Sequence, residues 1–324
     1  MGITEKSSSL QTTDTVDSKF EMKGMSFVGM NHAVDESHIL PLAHINCNWI
    51  SQMPFAFGEI NSTQVTFNHP HQWWGESDAG IIKTTLLTQA KGIKTMMKPQ
   101  IWMSGTYTGE FSLTSDTDWK IWEKNYLKFI MHFAHLSDSL NIEMFCIGTE
   151  LKQVVEKRPD FFVAVIDSIK TFYAGKLVYA ANWNEYQQVH FWNKLDYIGI
   201  DAYFPLSSAS NPSLAELKNS WTTAQQEIDR YRKRLGKDVL FTEIGYKSVD
   251  KCAHEPWNPA SEKVNLTAQS NATLAFFEVF KSIDWFKGSF FWKWYPKHHS
   301  SGGKNNTDYT PQNKPVEAII KKWY

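Results

Sequence analysis

From Lys23 onward the sequence alternates short apolar runs with longer segments of helical period. That pattern restricts the chain to repeated βα units: each run suits a strand, and each stripe has one apolar face to lay on a sheet. Eight runs read as strands, at residues 24–30, 45–51, 93–101, 143–148, 176–181, 197–201, 239–243 and 289–294. The helices between them are marked more sharply. Trp119, Trp122, Tyr126, Phe129, Ile130 and Phe133 recur at steps of three and four, with Ser115 three residues before Asp118 as a start signal. Phe161, Phe162, Val165, Ile166, Ile169 and Phe172 repeat the pattern after Pro159. A third stripe from Leu214 to Leu235 opens on Ser213 and Glu216 and closes on Gly236. Two more helices fit residues 267–283 and 314–323. No Pro/Gly linker or charge run divides the chain, and no GxGxxG turn, Walker loop or internal repeat is present. The expected fold is therefore α/β, a single (β/α)8 TIM barrel over residues 23–324. Ahead of it lies a leader, residues 1–22, expected to be disordered because eight of its first 20 residues are Ser or Thr.

Charge and composition narrow the function classes. Thirty-three Lys and Arg against 34 Asp and Glu leave a formal net charge of -1, without the basic excess that phosphate contacts need. No nucleic-acid partner is expected. No apolar run approaches the roughly 20 residues of a membrane-spanning helix. A hydrophobic fraction of 42% fits a globular protein, expected to act as a monomer. Cys47, Cys146 and Cys252 are odd in number and lack metal-ligand spacing, and Cys47 and Cys146, inside apolar runs, read as buried small hydrophobes. The compartment stays open. A Ser/Thr-rich leader would suit the spacer left when a signal or lipid anchor is removed from an exported protein, periplasmic or lipid-anchored.

In such a barrel the active site is built at the C-terminal ends of the strands. Those ends carry Asn31 and His32; Lys98, Gln100 and Trp102; Thr149 and Glu150; Asn182 and Trp183; Asp201 and Tyr203; Glu243 and Tyr246; Trp292 and Trp294. Two carboxylates stand out. Glu150 closes one apolar run and Glu243 another, at strand ends four and seven, on opposite sides of the mouth. Either alone reads as a solvated strand-end residue. Together they have the makings of glycosidic cleavage, in which one carboxyl group protonates the leaving oxygen and the other attacks or stabilises the anomeric carbon. The 14 Trp divide accordingly. Trp119, Trp122 and Trp221 sit on helical stripes and read as packing, whereas Trp102, Trp183, Trp292 and Trp294 fall at strand ends, where sugar faces stack.

Ile147-Gly148-Thr149-Glu150 and Phe241-Thr242-Glu243-Ile244-Gly245-Tyr246 resemble the acid/base and nucleophile motifs of clan A glycoside hydrolases, and most closely those of glycoside hydrolase family 113, the β-mannanase-like barrels. Segments 98–102, 109–111, 181–183, 196–205 and 308–315 extend the resemblance over residues 23–324. It implies a retaining hydrolase of β-1,4-mannosidic linkages in mannan or manno-oligosaccharides, with Glu243 as nucleophile, Glu150 as acid/base and carboxyl groups about 5–5.5 Å apart. It also implies that Tyr203 holds the nucleophile by a hydrogen bond and that Trp292 lies under the sugar at the cleavage point. Trp102 and Trp183 would extend the cleft, with Asn31 and Tyr246 among the sugar contacts. Thr149 stands where many clan A enzymes have an Asn for the sugar 2-hydroxyl, a contact that Asn182 or Lys98 would then supply.

No cofactor or metal is expected. His298 and His299 are adjacent, so their side chains diverge, and neither they nor His69 and His71 have a third ligand at helical spacing. Residues 298–313, rich in Ser, Gly, Asn and Lys, are expected to form a mobile loop over the mouth. The rival readings are a β-glycosidase acting on another β-glycan, a carbohydrate-binding barrel without catalysis, and an aldolase using Lys98 or Lys293, for which neither lysine has the apolar surroundings that lower a lysine pKa.

Overall fold

The structure, a computed structural model, describes residues 19–70 and 72–324. Among the described residues ten strands are formed: β1 (Met22–Phe27), β2 (Trp49–Gln52), β3 (Phe55–Glu59), β4 (Lys94–Met97), β5 (Gln100–Ser104), β6 (Met144–Thr149), β7 (Lys176–Asn182), β8 (Tyr197–Asp201), β9 (Asp238–Ile244) and β10 (Phe286–Trp294). Eight of them close into a parallel barrel in the order β1-β10-β9-β8-β7-β6-β4-β2. Around it pack α1 (Glu36–His44), α2 (Asp78–Gln89), α3 (Asp116–Ser139), α4 (Lys152–Lys157), α5 (Pro159–Ile169), α6 (Leu214–Leu235), α7 (Leu266–Phe280) and α8 (Pro315–Trp323). The expected TIM barrel is the observed one.

The helix signals act as read. Ser115 Oγ accepts from the Asp118 N–H and Ser213 Oγ from the Glu216 N–H, satisfying donors that the first helical turn leaves free. Gly236 ends α6 at φ 63°, a left-handed conformation that costs glycine least. Met96, Met144, Cys146, Val178, Leu240 and Phe290 fill the barrel interior. Trp122, Phe133, Phe162, Trp221 and Phe276 seal the layer between strands and helices. Each such ring contributes on the order of 2–3 kcal/mol by leaving water. The three cysteines are buried and free.

Two expectations need correction. The run at 93–101 is two strands, because Pro99 has no N–H to continue the ladder; the chain leaves the barrel after β4, and β5 pairs with β3 in a separate two-stranded sheet. The β7–β8 connection, in which no helical stripe is read from the sequence, holds 3-10 turns at Tyr186–Gln188 and Trp192–Lys194, and α4 and α5 both follow β6. Residues 298–313 are laced down rather than loose. His298 Nε2 lies 2.6 Å from Glu317, Asn313 Nδ2 donates to the His298 and Ser301 carbonyls, and Lys314 Nζ donates to the Asp308 carbonyl. Of the leader only 19–22 fall among the described residues, where Phe20 and Met22 are buried and β1 begins at Met22; the rest of the leader lies outside them. No helix among the described residues is long and apolar enough to cross a membrane.

Candidate active site

Both carboxylates reach the mouth through breaks in strand parity. Along β9, Leu240 faces the interior and Phe241 the helices, so strict alternation would send Glu243 outward. The ladder slips instead. Ile200 pairs with Phe241 but Asp201 with Glu243, and on the other side Ser289 pairs with Phe241 but Phe291 with Ile244. The extra residue, Thr242, forms a bulge that turns Glu243 inward. In β6 a second bulge leaves Cys146 opposite Val178 and Thr149 opposite Ala180. Glu150 then takes φ 52°, a conformation costing a non-glycine residue on the order of 1 kcal/mol, held by its N–H on the Ala180 carbonyl at 2.8 Å.

Around Glu243 three donors converge. Lys98 Nζ is 2.5 Å from Oε1, Gln100 Nε2 donates to the same oxygen at 3.1 Å, and Tyr203 OH donates to Oε2 at 2.8 Å. Lys98 Nζ is also 3.2 Å from both oxygens of Asp201, which accepts from Thr242 Oγ1 at 2.7 Å. Lys98 and Asp201 are wholly buried. Burial alone would lower the Lys98 pKa, but the charges of Asp201 and Glu243 outweigh it and raise it. The ammonium is therefore permanent: it neutralises one of two buried carboxylates and fixes how Glu243 points. This corrects two expectations for Lys98. Enclosed beneath Glu243, it has no surface to offer a sugar hydroxyl, and a lysine held protonated by two carboxylates cannot attack a carbonyl, which removes it as an aldolase nucleophile. Lys293 Nζ lies 3.8 Å from Asp308 and over the rings of Trp292 and Tyr295.

Glu150 has a different setting. Burial, then the charges of Asp201 and Glu243, push its pKa well above the usual carboxylate range; the remaining solvent contact of this half-buried residue tempers the shift without reversing it. Tyr107 OH donates to Glu150 Oε2 at 2.9 Å and accepts from Asn182 Nδ2 at 2.6 Å. Gly109 permits that approach, since a Cβ there would lie 2.5 Å from the Tyr107 ring. Asn182 thus serves Tyr107, and its own N–H is held by Glu185 Oε1 at 2.8 Å.

Glu185 is 2% exposed, and its Oε2 has no hydrogen-bond partner. Burial pushes its pKa up to about 7 from 4.5, and its charge adds to the field that raises Glu150. The folded state therefore holds this proton longer than the unfolded chain. The stability it supports is complete below pH ~4.5 and declines as pH rises to ~7, by up to roughly 3 kcal/mol. Glu185→Gln keeps the acceptor for Asn182 and cannot ionise. It is expected to match the wild-type melting temperature at pH 4.5 and exceed it by a few degrees at pH 8; an equal difference at both pH values in thermal unfolding would reject the assignment.

Aromatic rings ring the mouth. Trp292 is half-buried at the end of β10. Trp183 stacks on Trp257 at 5.6 Å and packs against Phe204, so Trp257, 45% exposed, presents the outer face of that pair. Trp102 is exposed on β5, and Asn31 is exposed beside His32. Tyr246 and Trp294 are enclosed in the layer between barrel and helices, which withdraws both as sugar contacts. Tyr309 meets Tyr203 edge-on at 6.4 Å and anchors on the Pro256 carbonyl. Tyr107, Glu185 and Trp257 carried no sequence signal because they lie in connections rather than at strand ends, whereas Tyr309 fell within the resembling segment 308–315 without a role assigned to it. Asp201 and Gln100 did stand at strand ends. Among the described residues no group of three or more His, Cys, Asp or Glu is placed to hold a metal; His71 lies outside them.

The fold recurs in solved proteins. The β-mannanase AaManA of Alicyclobacillus acidocaldarius, in complex with ManMIm, superposes with a TM-score of 0.80 at 24% identity, covering 94% of this chain and 96% of that one. A second family 113 β-1,4-mannanase gives 0.80 at 24% identity over 93% and 98%. A family 5 mannosidase of Rhizomucor miehei gives 0.64 at 12% over 94% and 92%. No curated protein matches the chain. The sequence model of Glycoside Hydrolase Family 113 matches residues 30–314, most of the barrel. The chain belongs to glycoside hydrolase family 113, and it is a glycoside hydrolase.

Proposed function

We propose that this enzyme cleaves β-1,4-mannosidic bonds of mannan or manno-oligosaccharides by double displacement with retention at the anomeric carbon. The observation that carries the reading is the opposed setting of the two carboxyl groups. Glu243 is fixed by Lys98, Gln100 and Tyr203, while Glu150 is held protonated by burial and by the charges across the mouth. In the first step Glu243 attacks the anomeric carbon as the glycosidic C–O bond breaks, and the Glu150 proton passes to the leaving oxygen. In the second, Glu150, now ionised, takes a proton from water, whose oxygen displaces Glu243. The family membership and the two mannanases that share the fold support mannan over other β-glycans.

The test is a panel of mannan, glucan, xylan and their aryl β-glycosides, with NMR of the first product before mutarotation. Cleavage of mannan with β-configured product is expected. An α-configured first product would rule out retention, and turnover confined to another glycan would rule out the mannan assignment.

A further inference from the structure

A carboxylic acid carries its proton on one of two oxygens, and an acid catalyst works only when that oxygen is the one beside the leaving group. Among the described residues Tyr107 is the one hydrogen-bond partner of the Glu150 side chain, and it takes Oε2 at 2.9 Å. Oε1 is left without a protein partner. A phenol can donate or accept, because its hydrogen rotates to suit. Left to itself Tyr107 could therefore accept a proton held on Oε2, which would tie that proton up away from the leaving oxygen. Asn182 closes that arrangement. Its Nδ2 donates to the Tyr107 oxygen at 2.6 Å, so a phenol that accepted from Glu150 as well would leave its own hydrogen unpaired.

Both members of the chain are held in place. Asn182 ends β7; its N–H donates to Glu185 Oε1 at 2.8 Å and its carbonyl accepts from the Glu185 N–H at 2.9 Å, so a buried residue grips both sides of it. Beside Tyr107, Thr108 Oγ1 donates to the Ile101 carbonyl and the Glu110 N–H to the Tyr107 carbonyl, each at 2.9 Å. Asn182 Oδ1 is buried without a hydrogen-bond partner. A turned amide would set that acceptor against Tyr107 and draw the phenol proton away from Glu150; the orientation present leaves the acceptor unpaired and keeps a donor aimed at the acid.

We propose that Asn182 is a positioning residue of the acid/base: with its amide donor committed to Tyr107, the phenol proton is held on Glu150 Oε2, and the proton that passes to the leaving oxygen is carried by Oε1. The inference rests on the reading of Glu150 as acid and base. In the first step the Oε1–H bond breaks as the leaving oxygen takes the proton, and the charge that appears on Glu150 meets the Tyr107 donor already in place. In the second, Oε1 takes a proton from water. Tyr107 keeps its own proton throughout, since burial and the charge of Glu150 push its pKa far above the usual phenol value. Asp201, Glu243 and Glu185 are the other charges that bear on Glu150, and Lys152 and Glu156 those that bear on Glu185.

Wild type, Asn182→Asp, Asn182→Ala, Tyr107→Phe and the double variant Tyr107→Phe with Asn182→Ala are compared on manno-oligosaccharides, or on the oligosaccharides of whichever glycan is cleaved. The second substrate is an aryl glycoside of the same sugar with an acidic phenol. At neutral pH the new carboxylate of Asn182→Asp only accepts, so it draws the Tyr107 proton to itself and lets the Glu150 proton settle on Oε2. There kcat/KM on the oligosaccharides is expected to fall about ten- to a hundredfold, the size of one hydrogen bond to a charged group. Little change is expected on the aryl substrate, and the alkaline decline should move to higher pH. Asn182→Ala should cost less, because the phenol can then turn either way, and should cost nothing further in Tyr107→Phe, where no phenol is left to orient. Losses that multiply in the double variant, or equal losses on both substrates with an unmoved pH profile, overturn the role. So does a loss that vanishes on the 2-deoxy aryl glycoside, which would make Asn182 a contact of the sugar 2-hydroxyl. Glu150→Ala separates this inference from the reading beneath it. If that variant still turns over the oligosaccharides, the acid assignment fails and the role of Asn182 with it; if it does not while Asn182→Asp keeps the wild-type rate and pH profile, the role of Asn182 alone fails.

Discussion

Glu243→Ala is expected to lower kcat on manno-oligosaccharides by roughly four to six orders of magnitude, or about 5–8 kcal/mol of barrier. The loss is this large because in the proposed double displacement the attacking group itself disappears, and no neighbour can replace it. Lys98 is a protonated ammonium and Gln100 a neutral amide, neither of them a nucleophile, Tyr203 holds a phenol whose pKa burial pushes well above its usual value, and Asp201 lies beneath them with both oxygens engaged by Lys98. Folding should survive the change. The buried cluster goes from one ammonium and two carboxylates to one of each, and Lys98 keeps Asp201 at 3.2 Å. Leaving a charge without a partner is what makes such substitutions costly, and here none is left. The truncated side chain opens a space beside the anomeric carbon that azide can enter. Azide would form the new bond to that carbon while the glycosidic bond breaks and Glu150 protonates the leaving oxygen, so recovered activity should yield an α-mannosyl azide, inverted at the anomeric carbon. Undiminished turnover, or an azide product of retained configuration, would remove Glu243 from the nucleophile role.

What the sequence revealed and what it hid follow from how each is encoded. Barrel strands and helical stripes are local periodicities, so Trp122, Phe133 and Trp221 could be assigned to the core from spacing alone, and they lie there. The strand-end rule then placed Glu150 and Glu243 at the mouth without any knowledge of their orientation. Parity counting would have pointed Glu243 at the helices; the bulge at Thr242 that corrects it depends on pairing with β8 and β10, which no local pattern records. Lys98 shows the same limit from the other side. Its inward placement was legible, but that it ends in contact with Asp201, 103 positions away, is a property of barrel closure. Tyr246 and Trp294 were misplaced because a strand end has two faces, and only the assembled layer shows which one a ring occupies. The separate β3–β5 ribbon was hidden within a single apolar run in which Pro99 was the one mark of a break.

Glu150→Ala should cost less than the loss of Glu243 and should cost it selectively. General acid catalysis contributes about 10²–10⁴ in rate, and the whole of that is due only where the leaving oxygen needs a proton. On mannan, whose leaving group is a sugar alkoxide, a fall of about a thousandfold or more is expected. An aryl mannoside with an acidic phenol leaves without help, so its first step should be little affected and the glycosyl-enzyme should accumulate, because no base remains to activate water. Azide needs no base and should release it as the β-mannosyl azide, of retained configuration, opposite to the product expected from Glu243→Ala. The pH profile carries the sign. In the proposed mechanism Glu150 acts first as an acid, and burial with the charges of Asp201 and Glu243 raises its pKa, so wild-type kcat/KM should be full below that raised pKa and lost as pH rises through it. In Glu150→Ala on the aryl substrate this alkaline decline should vanish. Tyr107→Phe removes the hydrogen bond that lowers the Glu150 pKa, so there the decline should move to higher pH. A decline that keeps its position in both variants would show that some other group loses the proton, and Glu150 would no longer be the acid.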